Sequence, residues 1–342
     1  MMKRVLVTGG AGYVGCVLVP KLLEQGREVR VLDKLVFGGQ GLDAVKDKIE
    51  LVAGDIRDAD PAVFDGIDGV VHLAGLSNDP TAEYNPAANE AINTEGTIRL
   101  AEQAKAAGIG RFVLASSCSV YYSMQADNAV RDEESAIDPR APYSSSKYNA
   151  EKGLLKLAGG KFSPVVLRKG TVFGSSPRMR YDLVVNTFTK DAFEHRQLVV
   201  HAGGRIWRPL LHIEDAADAY CMALDAPDDE VRGQVFNVLS DNYEVLKVAY
   251  EVRRALETAK GVRIGIEIQQ VGTVRSYRVS GDKFAKVFGS PLTRPIGPAV
   301  GRMWDALEEG VDTTEPVYYN IRWLELLVDM QNRLADMGGG PL

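Results

Sequence analysis

Short β-branched runs alternate with longer amphipathic stretches through the first half of the chain, the rhythm of a parallel sheet covered by helices. Val5 to Thr8, Glu28 to Asp33, Ile49 to Ala53, Gly69 to Leu73, Phe112 to Ser116 and Val165 to Leu167 read as buried strands. Between them, Tyr13 to Gln25, Pro86 to Ala107 and Tyr143 to Ala158 have helical length and composition, with Gly26 and Gly108 placed as C-terminal stops. The pattern predicts an α/β fold, a doubly wound parallel sheet over residues 1–174. After about Gly174 the rhythm loosens. A basic loop with Arg178 and Arg180 leads into a helix expected over Asp182 to Glu194. A further helix is expected over Ile213 to Leu224, a short strand over Val235 to Val238, and a third helix over Glu244 to Lys260. Residues 175–342 are therefore expected to form a smaller mixed α/β lobe, with part of 203–238 packing back on the first domain.

Composition narrows the functional classes. A chain of 342 residues with 45% hydrophobic and 25% charged residues belongs to a soluble globular protein, of one large or two joined domains. Disorder is expected at most in the Gly-rich end from Gly338 to Leu342. The net charge of −6 argues against a nucleic-acid surface, which needs clustered Lys and Arg. No apolar run approaches a membrane span, and the apolar stretch from Val5 begins a strand rather than a signal peptide, so a cytoplasmic location is expected. Cys16, Cys118 and Cys221 lack CxxC spacing, and neither a disulfide framework nor a metal site is expected.

Chemistry enters with the loop TGGAGYVG. Gly9, Gly12 and Gly15 stand directly after the first strand and before the first helix. Such glycines permit a tight turn, a close backbone approach to pyrophosphate and close packing of helix on strand, with phosphate at the helix's positive end. Asp33 closes the second strand at the distance where an acid can accept hydrogen bonds from an adenosine ribose. Its carboxylate would repel a 2′-phosphate, which favours NAD over NADP, while Lys34 beside it partly offsets that repulsion. Asp55, after the third strand, is either a contact for the adenine amino group or a turn-initiating Asp.

The spacing of these glycines, together with His72, Leu73, Ala74 and Gly75 after the fourth strand, Asn93 in the next helix and SSCSVY after the fifth, resembles the extended short-chain dehydrogenase/reductase family. The resemblance implies a Rossmann-type fold and a set of residues around NAD. These are Gly9, Gly12, Tyr13, Val14 and Gly15 in the loop, with Asp33, Lys34, Asp55 and Ile56. They continue with Leu73, Ala74, Gly75, Asn93, Ser116, Tyr143, Lys147 and Lys169.

A tyrosine titrates near ~10 and is a poor base at neutral pH. A lysine four residues on shares its helical face, and with a positive nicotinamide it is expected to stabilise the phenolate. Tyr143/Lys147, Tyr148/Lys152 and Tyr243/Lys247 all have this spacing. Tyr148 lies five residues beyond Tyr143, about 140° around a helix, and Tyr243 falls in the second lobe. Tyr143 follows Pro142 at a helix start, and the resemblance places the catalytic pair there, with Ser117 as the serine that shares the substrate oxygen. Ser116 and Ser119 are also explained as strand-end caps, and Cys118 as a small buried residue.

In the second lobe, RPLLHIEDAADAY resembles the family stretch whose arginine meets the diphosphate of a nucleotide sugar, here Arg208. Arg275 and Arg278 resemble a second phosphate-facing segment; Ser77, Ser117 and Thr171 are implied at the sugar, and Asn186 at the nucleobase. His212 and Asp215 read as structural. The family's usual Gly after Val-Tyr is Tyr122, and its usual Tyr and Asn in the loop lining nicotinamide and sugar are Lys169 and Thr171, which puts the usual sugar in doubt. The dehydratases' Asp-Glu after the catalytic residue is replaced by Cys118 and Ser119, and the decarboxylases' Glu by Ser119. What remains is Ser117, Tyr143 and Lys147, a set that suits an NAD-retaining nucleotide-sugar epimerase acting at carbon 4. A 4-dehydrogenase or 4-ketoreductase stays open, as does, from another class, a non-catalytic dinucleotide sensor on the same fold. The expected partners are a nucleotide-diphosphate sugar and a second copy of the chain, a homodimer through the helices near Asn93 and Tyr148.

Overall fold

The computed structural model of the chain describes residues 2–121, 129–270, 276–289 and 292–336. Along the first half run β1 (Arg4–Thr8), α1 (Gly15–Glu24), β2 (Glu28–Asp33), β3 (Ile49–Ala53), β4 (Gly69–His72), α2 (Asp79–Tyr84), α3 (Pro86–Glu90), α4 (Thr97–Ala106), β5 (Arg111–Ser117), β6 (Val130–Arg131), α5 (Pro142–Leu155), β7 (Ser163–Lys169) and β8 (Thr171–Phe173). The second half contributes α6 (Val184–His195), β9 (Gln197–Val200), β10 (Trp207–His212), α7 (Ile213–Asp225), α8 (Asp228–Val231), β11 (Gln234–Val238), β12 (Asp241–Glu244), α9 (Val245–Lys260), β13 (Gly265–Ile268), β14 (Arg278–Val279), α10 (Asp282–Phe288), α11 (Ile296–Glu308) and α12 (Asn320–Asp336).

Among the described residues, seven parallel strands form one sheet in the order β11-β7-β5-β4-β1-β2-β3. Alternation along β1 shows why it is buried on both faces. Val5 and Val7 join Leu18, Val19 and Leu22 of α1 and Ala216 and Tyr220 of α7, while Leu6 joins Leu100 of α4 and Leu154 of α5. The chain reverses its direction of growth between β1 and β4, the place where such sheets hold ligands at their C-terminal ends. A second core gathers α6, α9 and α11 around Phe188, Val252, Leu256, Met303 and Trp304. β8 runs parallel to β10, which pairs antiparallel with β12.

The long helix expected from Pro86 to Ala107 forms as one continuous helical run, α3 and α4 joined through a π-helical segment at Ala91–Gly96. α11 and α12 were not among the elements expected; α11 buries Ile296, Ala299, Val300, Met303, Trp304 and Leu307 along one face, whereas α12 buries only Asn320 fully. The Gly338 to Leu342 end and Tyr122 lie outside the described residues. Among the described residues, no helix is long and apolar enough to cross a membrane.

Candidate functional site

A cleft of about 600 Å³ opens over the C-terminal ends of the central strands. One end is built by the glycine loop. Gly9 has φ +72°, and a Cβ there would stand 2.5 Å from the Ala74 nitrogen, while a Cβ on Gly15 would stand 2.4 Å from the Gly10 oxygen. Any side chain at either position would force strand, loop and helix apart. The loop is thereby shaped to bring backbone against a bulky anionic ligand at the start of α1, which fits the pyrophosphate of a dinucleotide. Gly12, Tyr13 and Val14 line the same end.

Asp33 binds this loop to β2. Its Oδ2 accepts the Ala11 N–H at 2.9 Å and its Oδ1 the Leu35 N–H at 2.8 Å, and burial raises its pKa above the ordinary carboxylate value. Asp55 is the turn-initiating residue of the second alternative, since it caps the short helix Ile56–Asp58 by accepting the Arg57 N–H. Its carboxylate also accepts from the Arg57 guanidinium at 3.0 and 2.6 Å and from Lys34 at 2.9 Å, and the Arg57 hydrogen bonds hold its pKa far below the usual range. Lys34 is thus tied to Asp55, and Asp55, Ile56 and Lys34 still line the cleft. Arg57, beside them, went unnoticed in the sequence.

Leu73, Ala74 and Gly75 line the middle. Asn93 does not reach the cleft. It is fully buried, accepts the Leu76 N–H at 2.9 Å and donates to the Leu76 carbonyl at 2.9 Å, so it shapes the segment after β4 from behind. Lys147 is likewise buried behind Gly75; its Nζ donates to the Ala115 carbonyl at 3.2 Å.

Ser116, Ser117, Tyr143, Lys169, Thr171, Ser77 and Arg208 line the other end. Tyr143 opens α5 directly after Pro142, and Lys147 and Glu151 follow on its face at i+4 and i+8. Burial pushes the Tyr143 phenol up to about 12, helped by the Asp79 charge, while hydrogen bonding with Ser117 and the Arg180 charge pull the other way. The expected lowering of the phenol rests on Lys147 acting together with a positive nicotinamide, whereas the chain's own groups alone act in sum to raise it. Lys147 itself is lowered to about 8, chiefly by burial. Of the two serines read as caps, Ser116 donates to Glu151, whereas the buried Ser119 hydroxyl has no hydrogen-bond partner among the described residues, and Ser119 lines the cleft.

Asn186 is fully buried, with its amide spent on Tyr13 Oη at 3.0 Å, the Arg180 carbonyl at 2.9 Å and the Gly174 N–H at 3.1 Å, so it cannot meet a nucleobase. Arg278 sits over the Trp207 ring at 5.0 Å, away from the cleft wall, because β14 is drawn against β6. Arg275 lies outside the described residues. Arg178 and Arg180, read in the sequence only as a basic loop, also line the cleft. Arg178 stacks on Phe37 at 3.9 Å and donates to Asn320 Oδ1 at 2.6 Å, and Arg180 forks onto Asp182 and reaches Ser77 Oγ at 3.2 Å. Leu324 and Val328 of α12 complete this wall.

Comparison with known proteins agrees with this architecture. The profile of the NAD dependent epimerase/dehydratase family matches residues 5–238. A dTDP-glucose 4,6-dehydratase of Streptomyces niveus is 33% identical over 236 residues, covering 65% of this chain and 68% of the relative. A UDP-glucose 4-epimerase of Neisseria meningitidis serogroup C is 28% identical over 294 residues, covering 78% and 86%. The solved structure of MoeE5 in complex with UDP-glucuronic acid and NAD superposes with a TM-score of 0.75 at 25% identity, covering 90% of this chain and 100% of that one. With a glycine loop, an acid-tipped second strand and a family profile spanning most of its length, the chain belongs to the NAD dependent epimerase/dehydratase family.

Proposed function

We propose that the protein is a nucleotide-sugar epimerase that oxidises a sugar hydroxyl, at carbon 4, to a ketone and returns the hydride to the opposite face. The observation that carries this reading is the meeting of Ser117 and Tyr143 at one end of a cleft whose other end is the dinucleotide loop. Bound NAD supplies the hydride acceptor and donor. Tyr143 takes the hydroxyl proton and later gives it back, Ser117 hydrogen-bonds the same oxygen, and Lys147 holds the Ala115 carbonyl beside them. Arg208, on β10, offers its guanidinium to the substrate diphosphate.

Elimination of water and loss of a carboxyl group need a further acid or base. The positions after Ser117 hold Cys118 and Ser119, whose side chains supply no carboxylate. The competing reading, a 4-dehydrogenase or 4-ketoreductase, consumes exogenous NAD or NADH. The test is to denature purified protein and identify the released dinucleotide and any sugar nucleotide by mass. Native protein is then incubated with candidate nucleotide sugars without added cofactor. Catalytic conversion to the 4-epimer supports the proposal; conversion that stops after one equivalent and resumes on addition of NAD or NADH contradicts it.

A further inference from the structure

Lys169 ends β7 in register with Ser117 of β5, and its side chain reaches the cleft wall. Adjacent strands stand about 4.8 Å apart, so β7, three places from β1 in the sheet, sets Lys169 about 14 Å from the glycine loop. It is out of reach of a pyrophosphate held there and lies at the end occupied by Ser117 and Tyr143. The backbone on its far side is held, because the Gly170 N–H donates to the Val238 carbonyl at 2.8 Å. Lys169 cannot swing away with a loop.

Among the described residues, the Lys169 ammonium has no hydrogen-bond or ion-pair partner. The charged groups that bear on it most are cations, Lys147 and Arg180. Glu151, whose charge bears on Lys147, is engaged by Arg168 and Ser116. Tyr220 flanks Lys169 with its ring centroid 5.9 Å from Nζ, and the buried Tyr220 hydroxyl also lacks a partner. An ammonium drawn out of water without a counter-charge is costly. Burial, with Lys147 and Arg180, brings its pKa down to about 7. A ligand that carries an anion to this corner would remove that cost.

We propose that Lys169 is a specificity-determining residue that receives the carboxylate of a nucleotide-linked uronic acid, so that the substrate carries a negative charge on its sugar ring. The proposal rests on the reading of the Ser117 and Tyr143 end as the sugar subsite. A single ammonium suits a monoanion, and the diphosphate is provided for by Arg208 on β10.

The experiment titrates NAD-loaded full-length protein by calorimetry with matched pairs, UDP-glucuronic acid against UDP-glucose and dTDP-glucuronic acid against dTDP-glucose, and scores turnover separately. The charged member of the better-binding pair should bind at least tenfold tighter. Lys169→Met should bring that ratio to within about threefold of unity, and Lys169→Arg should restore it, with dinucleotide content checked in each variant. A wild-type protein that binds the neutral member as tightly overturns the proposal, and so does Lys169→Met weakening both members equally, which would assign the lysine to the diphosphate or the cofactor. Epimerisation of the neutral sugar with no preference for the charged one removes the role of Lys169 and leaves the epimerase standing. Binding of none of the four removes both.

Discussion

The Glu151 carboxylate receives three hydrogen bonds of 2.7 to 3.1 Å from the Arg168 guanidinium, in a place closed to solvent on both sides. Glu151 stands on the same face of α5 as Tyr143 and Lys147, so this pair anchors the reactive face to β7. Removing one partner of a buried ion pair strands the other charge, and Glu151→Ala should cost about 3 to 5 kcal/mol of stability. Urea unfolding of Glu151→Ala and of Glu151→Leu/Arg168→Met is the measurement. The double variant should recover most of the loss, and equal losses in both would show that the pair does not act as a unit.

Asp33 is held by the Ala11 and Leu35 amides with its carboxylate on the cleft, and Lys34 is drawn off toward Asp55. The repulsion of a 2′-phosphate is therefore left largely intact. NAD should bind more tightly than NADP, and Asp33→Ala should narrow the ratio even as loss of the loop anchor weakens both. Titration with each dinucleotide reads this ratio; equal wild-type affinities would remove the argument.

The pH dependence of the proton-transfer step follows from the charges around Tyr143. Its phenol lies above its ordinary value, Asp79 pushing it up and Arg180 pulling it down. A rate that needs phenolate rises with pH toward the phenol's pKa. Asp79→Asn should shift this rising limb to lower pH, and Arg180→Gln should shift it to higher pH. Limbs that move the opposite way, or coincide in all three proteins, would show that another group titrates.

Arg208 lines the cleft beside the Tyr277 ring, with its guanidinium centre 5.6 Å from the centroid. A charged hydrogen bond to phosphate contributes about 1.5 to 3 kcal/mol, so Arg208→Ala should raise KM for the nucleotide sugar by roughly 10- to 150-fold. NAD affinity, measured in the same preparation, should stay near wild type. An unchanged KM would mean that the guanidinium serves contacts within the chain, such as the Trp207 carbonyl and the Tyr277 ring, and not the diphosphate.

Elements whose burial pattern is local were legible in the sequence. The strands from β1 to β5 and the starts of α1 and α5 follow from alternation, glycines and Pro142, and so did the cleft end built by Gly9, Gly12, Gly15 and Asp33. Residues whose roles depend on long-range packing were not. Asn186 looks like any polar residue on an amphipathic helix until Tyr13 and Arg180 are found to consume its amide. Asn320 and Leu324 reach the cleft only because α12 folds across it, with Trp323 Nε1 bonded to the Val36 carbonyl at 2.5 Å. The surroundings of the Tyr143 phenol were legible only in part for a related reason: the i+4 lysine is visible in the sequence, whereas burial and Asp79 are not.

The central claim is that Tyr143 is the group that moves the proton, and the chain supplies its own controls. Tyr148 and Tyr243 share the four-residue spacing to a lysine, and each has that lysine over its own ring, Lys152 at 4.8 Å and Lys247 at 5.6 Å, away from the cleft wall. Under saturating sugar, turnover of NAD-loaded Tyr143→Phe should fall by two or more decades while folding and NAD content survive, because the variant keeps the ring and loses only the proton acceptor. Tyr148→Phe and Tyr243→Phe should stay within a few-fold of wild type. If instead Tyr143→Phe turns over normally and one of the other two is inactive, the proton passes elsewhere and the assignment of the site fails.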